Sequence, residues 1–170
     1  TYVNYTDNGD DEKTAFINGG TLVAAGVYQQ KDVVNVGGQY NASSDDWSDL
    51  GFNSIFDGHG AILVATVFEG WDSLDVLDIF GATFVTSMGT LDSALDTVLS
   101  NHYPVGKPGF DYFFFDIGDF LKNKDSVVDL ANETGSADGE IKTFTLNISG
   151  FDMVHFDLLA LVTTEDITKV

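Results

Sequence analysis

Hydrophobic and polar residues alternate with a period of two along most of the chain. Over residues 140–149 the apolar Phe144, Leu146 and Ile148 interleave with Thr143, Thr145 and Asn147, as a strand with one buried and one wet face requires. Further strands are predicted at 13–17, 20–29, 60–69, 82–87, 110–115 and 153–163, with loops rich in Gly, Asp, Asn and Ser between them. The runs 61–68 and 158–162 are apolar on both parities, which predicts central strands covered on both faces. Many short strands and 18 Gly predict an all-β fold, an antiparallel β-sandwich of jelly-roll-like form.

One segment follows a different period. Leu91, Leu95, Val98 and Leu99 fall at i, i+4, i+7 and i+8, the stripe of a short amphipathic helix near 90–100 with Thr90 as its N-cap. Asp residues near its start suit the positive end of the helix dipole. The helix is expected to lie as a lid across one end of the sandwich. The chain has no internal repeat.

A length of 170 residues fits a single domain, 1–170, large enough to fold around one core without a metal or disulfide. Composition then restricts the surface. The chain carries 27 acidic residues against 7 Lys and no Arg, a formal charge of -20, yet is 44% hydrophobic. The acids must therefore coat a real core. Such a surface repels phosphate backbones, and the missing Arg removes the usual bidentate phosphate ligand, so nucleic acid is excluded as a partner. No apolar run approaches the roughly 20 residues of a membrane span. The chain opens at Thr1 without a charged-then-apolar leader, as expected of a trimmed mature segment. The absence of Cys excludes disulfides and thiolate chemistry.

The acids are partly diffuse, which suits solubility in high salt, and partly clustered, which suits calcium. Asp7, Asn8, Asp10, Asp11 and Glu12 surround a Gly in one loop, and Asp45, Asp46 and Asp49 gather in a second. Clustered carboxylates, amides and carbonyls are the oxygen ligands calcium takes, although the EF-hand register is absent; Asp57 or Asp138 is available to complete such a site. His59, His102 and His155 show no zinc-ligand spacing. His155 and Asp157, two apart on a strand, share a face and predict a structural pair, and His59 falls in a predicted turn. Trp47 and Trp71, each beside Asp, are candidates for stacking on sugar rings. Glycosylation sequons stand at Asn4, Asn41, Asn132 and Asn147. No nucleophile elbow, P-loop or zinc-protease motif occurs.

In the second half, Asn101-His102-Tyr103-Pro104, the run from Phe110 to Phe120, and Val154-His155-Phe156-Asp157-Leu158 resemble the order of motifs in exported bacterial choice-of-anchor proteins of the PEP-CTERM type. That resemblance implies a secreted β-sandwich associated with surfaces and extracellular matrix, and no catalytic residues. Tyr103 and Leu159 stand where those proteins often carry Gly and Tyr.

Together these readings lead to the expectation of a non-enzymatic secreted or cell-surface structural protein. It would self-associate into a filament or sheet with calcium and β-strand addition. Thr1 to Thr6 is the candidate donor, with Val3 and Tyr5 on one face; the plainer reading makes it an edge strand of its own sheet. The alternative is a carbohydrate-binding module or adhesin using the loop aromatics.

Overall fold

The alternation over 140–149 appears in the structure as a single long strand whose Phe144, Leu146 and Ile148 are buried while Thr143, Thr145 and Asn147 are exposed. The computed structural model describes residues 5–7, 13–15, 20–27, 47–99, 103–121, 124–128 and 135–160. In chain order the elements are β1 (Tyr5–Asp7), β2 (Lys13–Ala15), β3 (Gly20–Val27), two 3-10 turns (Trp47–Leu50 and Ser54–Phe56), β4 (Ile62–Phe68), β5 (Val76–Phe80) and β6 (Thr83–Met88). There follow α1 (Ser93–Leu99), β7 (Phe110–Asp116), β8 (Asp125–Val128), β9 (Ser136–Ser149) and β10 (Val154–Leu159). Every strand pairing is antiparallel. The fold is an all-β sandwich, with one α-helix among the described residues.

One sheet runs β10-β4-β7-β6 and the other β3-β9-β5, with β8 also on β9; β1 and β2 form a two-stranded sheet of their own. Ala24, Leu63, Ala65, Phe115, Phe144, Leu146 and Ile148 share one core, and it lies between the two main sheets. β4 was expected to be covered on both faces, and it is. Ile62 and Val64, from its opposite parity, enter a second core with Phe114, Trp47, Phe56, Leu95 and Leu99. The 3-10 turns and α1 thus cover the outer face of the first sheet. This corrects the placement of α1 as a lid across one end: its Leu95 and Leu99 are buried against Ile62, Val64 and Phe114 on the β4–β7 face. Leu158 is likewise corrected, because β10 is the edge of its sheet and leaves that side chain exposed.

The cap of α1 also differs from expectation. Asp92, not Thr90, takes the N-cap role: its Oδ1 accepts from the backbone N–H of Ala94 and Leu95 at 3.1 and 2.9 Å, which satisfies two donors that no helical carbonyl reaches.

Near 117–124 the sandwich is closed by a buried ion. Glu140 accepts the Leu121 N–H at 2.7 Å and the Lys124 ammonium, and Lys142 donates to the Ile117 carbonyl at 2.8 Å. The Lys124 hydrogen bond holds the Glu140 carboxyl below the usual range, outweighing the burial that raises it, and the same bond raises Lys124. A carboxyl with a lowered folded value contributes stability that is full above the ordinary Glu value of about 4.3 and is lost as pH falls through the folded one. We expect Glu140→Gln to cost about 2 kcal/mol at neutral pH. Melting curves stepped downward in pH check this: the gap between wild type and variant should close below that value, and a constant gap would contradict the pairing.

Candidate functional site: a groove along the edge of β5

β5 alternates Leu77 and Ile79 toward the core with Val76, Asp78 and Phe80 away from it, and among the described residues it bonds β9 along one side only. At Gly81 the chain turns directly into β6; the residue has φ +100°, a conformation that a side-chain-bearing residue rarely adopts. The Ala82 N–H closes this turn on the Ile79 carbonyl at 3.1 Å. β6 is itself the edge of the other sheet. Two sheet edges therefore meet at one corner, and a groove of about 680 Å³ opens beside it.

Every residue of β5 lines this groove, together with Trp71, Phe84, Phe113, Phe115 and Phe151. Its floor is a side wall of the inter-sheet core. Phe115 and Ile79 are buried there, whereas Phe80, Phe84 and Trp71 are 58%, 54% and 42% exposed. The aromatic wall is held in place. The Trp71 indole N–H donates to Asp111 Oδ2 at 2.9 Å, and its ring meets Phe113 edge-on at 5.1 Å, as Phe84 meets Phe115 at 5.7 Å. Asp75, at one end of the groove, accepts the Asp72 N–H at 2.7 Å.

An edge strand exposes unpaired N–H and C=O groups that template another strand, and proteins usually blunt such edges. β6 is blunted by a register break between Phe84 and Thr86. β5 has no break, no Pro and no Lys, and its pairing with β9 is regular from Val76 to Phe80. It combines an open hydrogen-bonding edge with an apolar floor. In β-strand addition an extended segment places its main chain on such an edge and alternate side chains in pockets beside it.

The residues singled out in the sequence are distributed differently. Trp47 is corrected as a sugar-stacking candidate. It is 2% exposed, packs edge-on against Phe52 at 5.4 Å, and donates its indole N–H to the His59 carbonyl at 2.9 Å, so no ring face is free for a ligand. Trp71 retains an exposed ring. Of the calcium candidates, Asp7 lies in β1, with its Cα opposite that of Lys13, and Asp49 lies in the first 3-10 turn. Asn8, Asp10, Asp11, Glu12, Asp45 and Asp46 lie outside the described residues, as do Asn4, Asn41, Asn132 and His102. Among the described residues no group of three or more His, Asp or Glu is placed to hold a metal ion.

Asp57 is occupied structurally, accepting the Ser48 N–H and hydroxyl at 2.8 and 2.7 Å. Asn147 is exposed, and its amide donates to Asp78 Oδ2 across the β5–β9 pair at 3.1 Å. His155 Nε2 lies 3.3 Å from Asp157 Oδ2, the same-face pair that their spacing predicts. His59, in its turn, has Nδ1 3.1 Å from Asp116 Oδ2.

The sequence pattern does not predict the groove, because the five residues of β5 are too short an alternation to stand out as a strand. The alternation of Leu77 and Ile79 with Asp78 and Phe80 was the available signal. Asp at positions 72, 75 and 78 gave the segment the look of an acidic loop.

Comparison with protein-family models, curated proteins and solved structures finds no match to this chain. Among the described residues no helix is long and apolar enough to cross a membrane.

Proposed function

We propose that this is a non-enzymatic structural protein of the cell surface or extracellular matrix, which assembles by accepting an extended strand along β5. The observation that carries this reading is the coincidence of a sheet edge that is unblunted among the described residues with an aromatic-walled groove along its whole length. The resemblance of the 101–158 motifs to choice-of-anchor proteins supports the exported placement, and the sequons and acidic surface agree with it. Added strands gain main-chain hydrogen bonds from β5 and cover the exposed faces of Phe80, Phe84 and Trp71. Phe84→Asp places a charge on the groove wall, at a side chain more than half exposed. We expect it to abolish assembly in light scattering with little change in melting temperature; assembly equal to wild type would sink the proposal.

Copies with a formal charge of -20 repel one another, and the proposal assigns calcium to the two acidic loops as the ion that offsets this repulsion. Thermal unfolding before and after EDTA tests it. Bound calcium raises the melting temperature by mass action, so chelation should lower it; an unchanged value would remove calcium and leave strand acceptance intact.

Trp71 supports a second reading, a glycan stacked on its exposed indole, which Asp111 fixes in orientation. A glycan array with wild type and Trp71→Ala separates the two readings. Binding that is lost in the variant favours the sugar.

A further inference from the structure

A dense acidic coat keeps copies of a protein apart, and the outer face of the β3-β9-β5 sheet is nearly free of it. β3 carries no charged residue, residues 141–149 of β9 carry Lys142 alone, and β5 carries Asp78 alone, in a chain with 27 acids. Lys142 points inward, where its ammonium donates to the Ile117 carbonyl at 2.8 Å. Asp78 Oδ2 accepts the Asn147 amide at 3.1 Å. What remains on this face is a band of hydroxyls with β-branched and aromatic side chains. We infer that the face packs against the same face of a second copy, as an isologous pair of stacked sheets.

Strand register assembles the face. Thr145 stands directly opposite Thr21 on one side and Phe80 on the other, so these three form a row across the sheet; Val23 stands opposite Thr143 in the next row. Residues opposite one another in a ladder share a face. Thr21, Thr143 and Thr145 are exposed, and Val23 and Phe80 are 56% and 58% exposed. The first sheet differs, because the 3-10 turns and α1 cover its outer face.

Charge and chemistry select the occupant. Two copies of formal charge -20 meet with least repulsion where carboxylates are fewest. Thr and Asn side chains both donate and accept hydrogen bonds, so a face built of them satisfies its own duplicate, as a face of carboxylates does not. A basic partner would gain most from the acidic surfaces and least from this one. Three strands about 4.8 Å apart and residues 141–149 at about 3.4 Å each give roughly 400 Å² in plan per copy. That is below the roughly 800 Å² per partner of a stable complex and within the range of weak ones, so the pair forms as concentration rises. Strand acceptance along β5 extends an assembly within the plane of a sheet; this contact extends it perpendicular to that plane. Asn147, on the same face, is also a sequon, and a glycan there would hold two faces apart.

Thr145 stands at the centre of the face, and a two-fold axis through that centre sets it against its own copy. The test uses the full-length Phe84→Asp chain as parent, because dilute protein with a spoiled groove is monomeric and the face alone remains to pair. In salt that screens the acids, sedimentation equilibrium should show the parent passing from monomer to dimer as concentration rises. Thr145→Lys, added to the parent, lowers the net negative charge yet should abolish the dimer. Thr145→Asp should abolish it too, and an equimolar mixture of the two should recover it as a 1:1 pair. Val23→Lys replaces Thr145→Lys if that variant lowers the melting temperature. Thr145→Lys dimerising as strongly as the parent, or more strongly, overturns the face pair, since association would then follow net charge alone. A parent that stays monomeric at every concentration also overturns it and leaves strand acceptance standing, which long wild-type species read separately. Long species of Phe84→Asp sink strand acceptance instead, and the Thr145 comparison still decides the face. A glycan found on Asn147 by mass spectrometry of the protein from its source overturns the pair as well.

Discussion

Trp47→Ala is expected to lower the unfolding free energy by about 4 kcal/mol, within the range for deleting a buried large aromatic. That is a large share of the roughly 5 to 15 kcal/mol that holds a typical domain together. The indole is 2% exposed and anchors the helical cover to the outer face of the first sheet, in one cluster with Phe52, Phe56, Ile62, Val64, Leu95 and Phe114. Alanine opens a cavity there and leaves the His59 carbonyl without its 2.9 Å donor. Trp47→Phe keeps most ring contacts with Phe52 and Phe56 and loses only the N–H, so it should cost about 1 to 2 kcal/mol. Urea denaturation at unchanged slope measures both. A loss below about 1 kcal/mol for the alanine variant would contradict the anchoring role. Trp71→Ala, at a side chain 42% exposed, should cost much less.

Gly60→Ala is the second large effect, and it arises from a close approach of two backbones. A Cβ at residue 60 would sit 2.5 Å from both Asp119 N and Gly118 C, and 2.7 Å from Gly118 Cα. Those atoms have little freedom to retreat. The Ile117 N–H donates to the Ala61 carbonyl at 2.9 Å, and Asp116 Oδ1 accepts both the Gly118 N–H at 2.8 Å and the Gly60 N–H at 3.2 Å. Making room for one methyl group therefore strains the hydrogen bonds that tie the start of β4 to the end of β7. The expected loss is about 3 kcal/mol, the upper end of what overpacking costs. Gly20→Ala is the control: among the described residues no atom beyond its chain neighbours lies within 4 Å of its added Cβ, and its change should stay within about 0.5 kcal/mol. Equal melting temperatures for the two variants would refute the crowding argument.

Much of the sandwich was legible before any pairing was known. A strand's side chains alternate sides whatever lies beyond them, so Phe144, Leu146 and Ile148 declared a shared face, and the apolar run at 61–68 declared two. The stripe Leu91, Leu95, Val98 and Leu99 declared a helix for the same local reason. Failures came where the decisive partner was distant. The cap depends on where the helix begins, and with α1 starting at Ser93 it is Asp92, not Thr90, that stands at the N-cap. Leu158 begins an apolar run as Ala61 does, yet β4 is central while β10 is an edge, and only sheet order distinguishes them.

The candidate site was less legible than the fold. Trp47 and Trp71 each stand beside Asp, and nothing in their flanks says that the first enters a core while the second walls a groove. β5 carries only five residues with an acid at its centre, too short a signal against a background of 27 acids.

The sequence by itself determined the period, the acidic composition and the all-β class, because each depends on residue type and local spacing. The tertiary structure alone decided which edges remain unpaired among the described residues, which tryptophan is exposed, and that β5 borders an aromatic-walled groove. Those properties belong to contacts between segments distant along the chain, and local spacing carries no record of them.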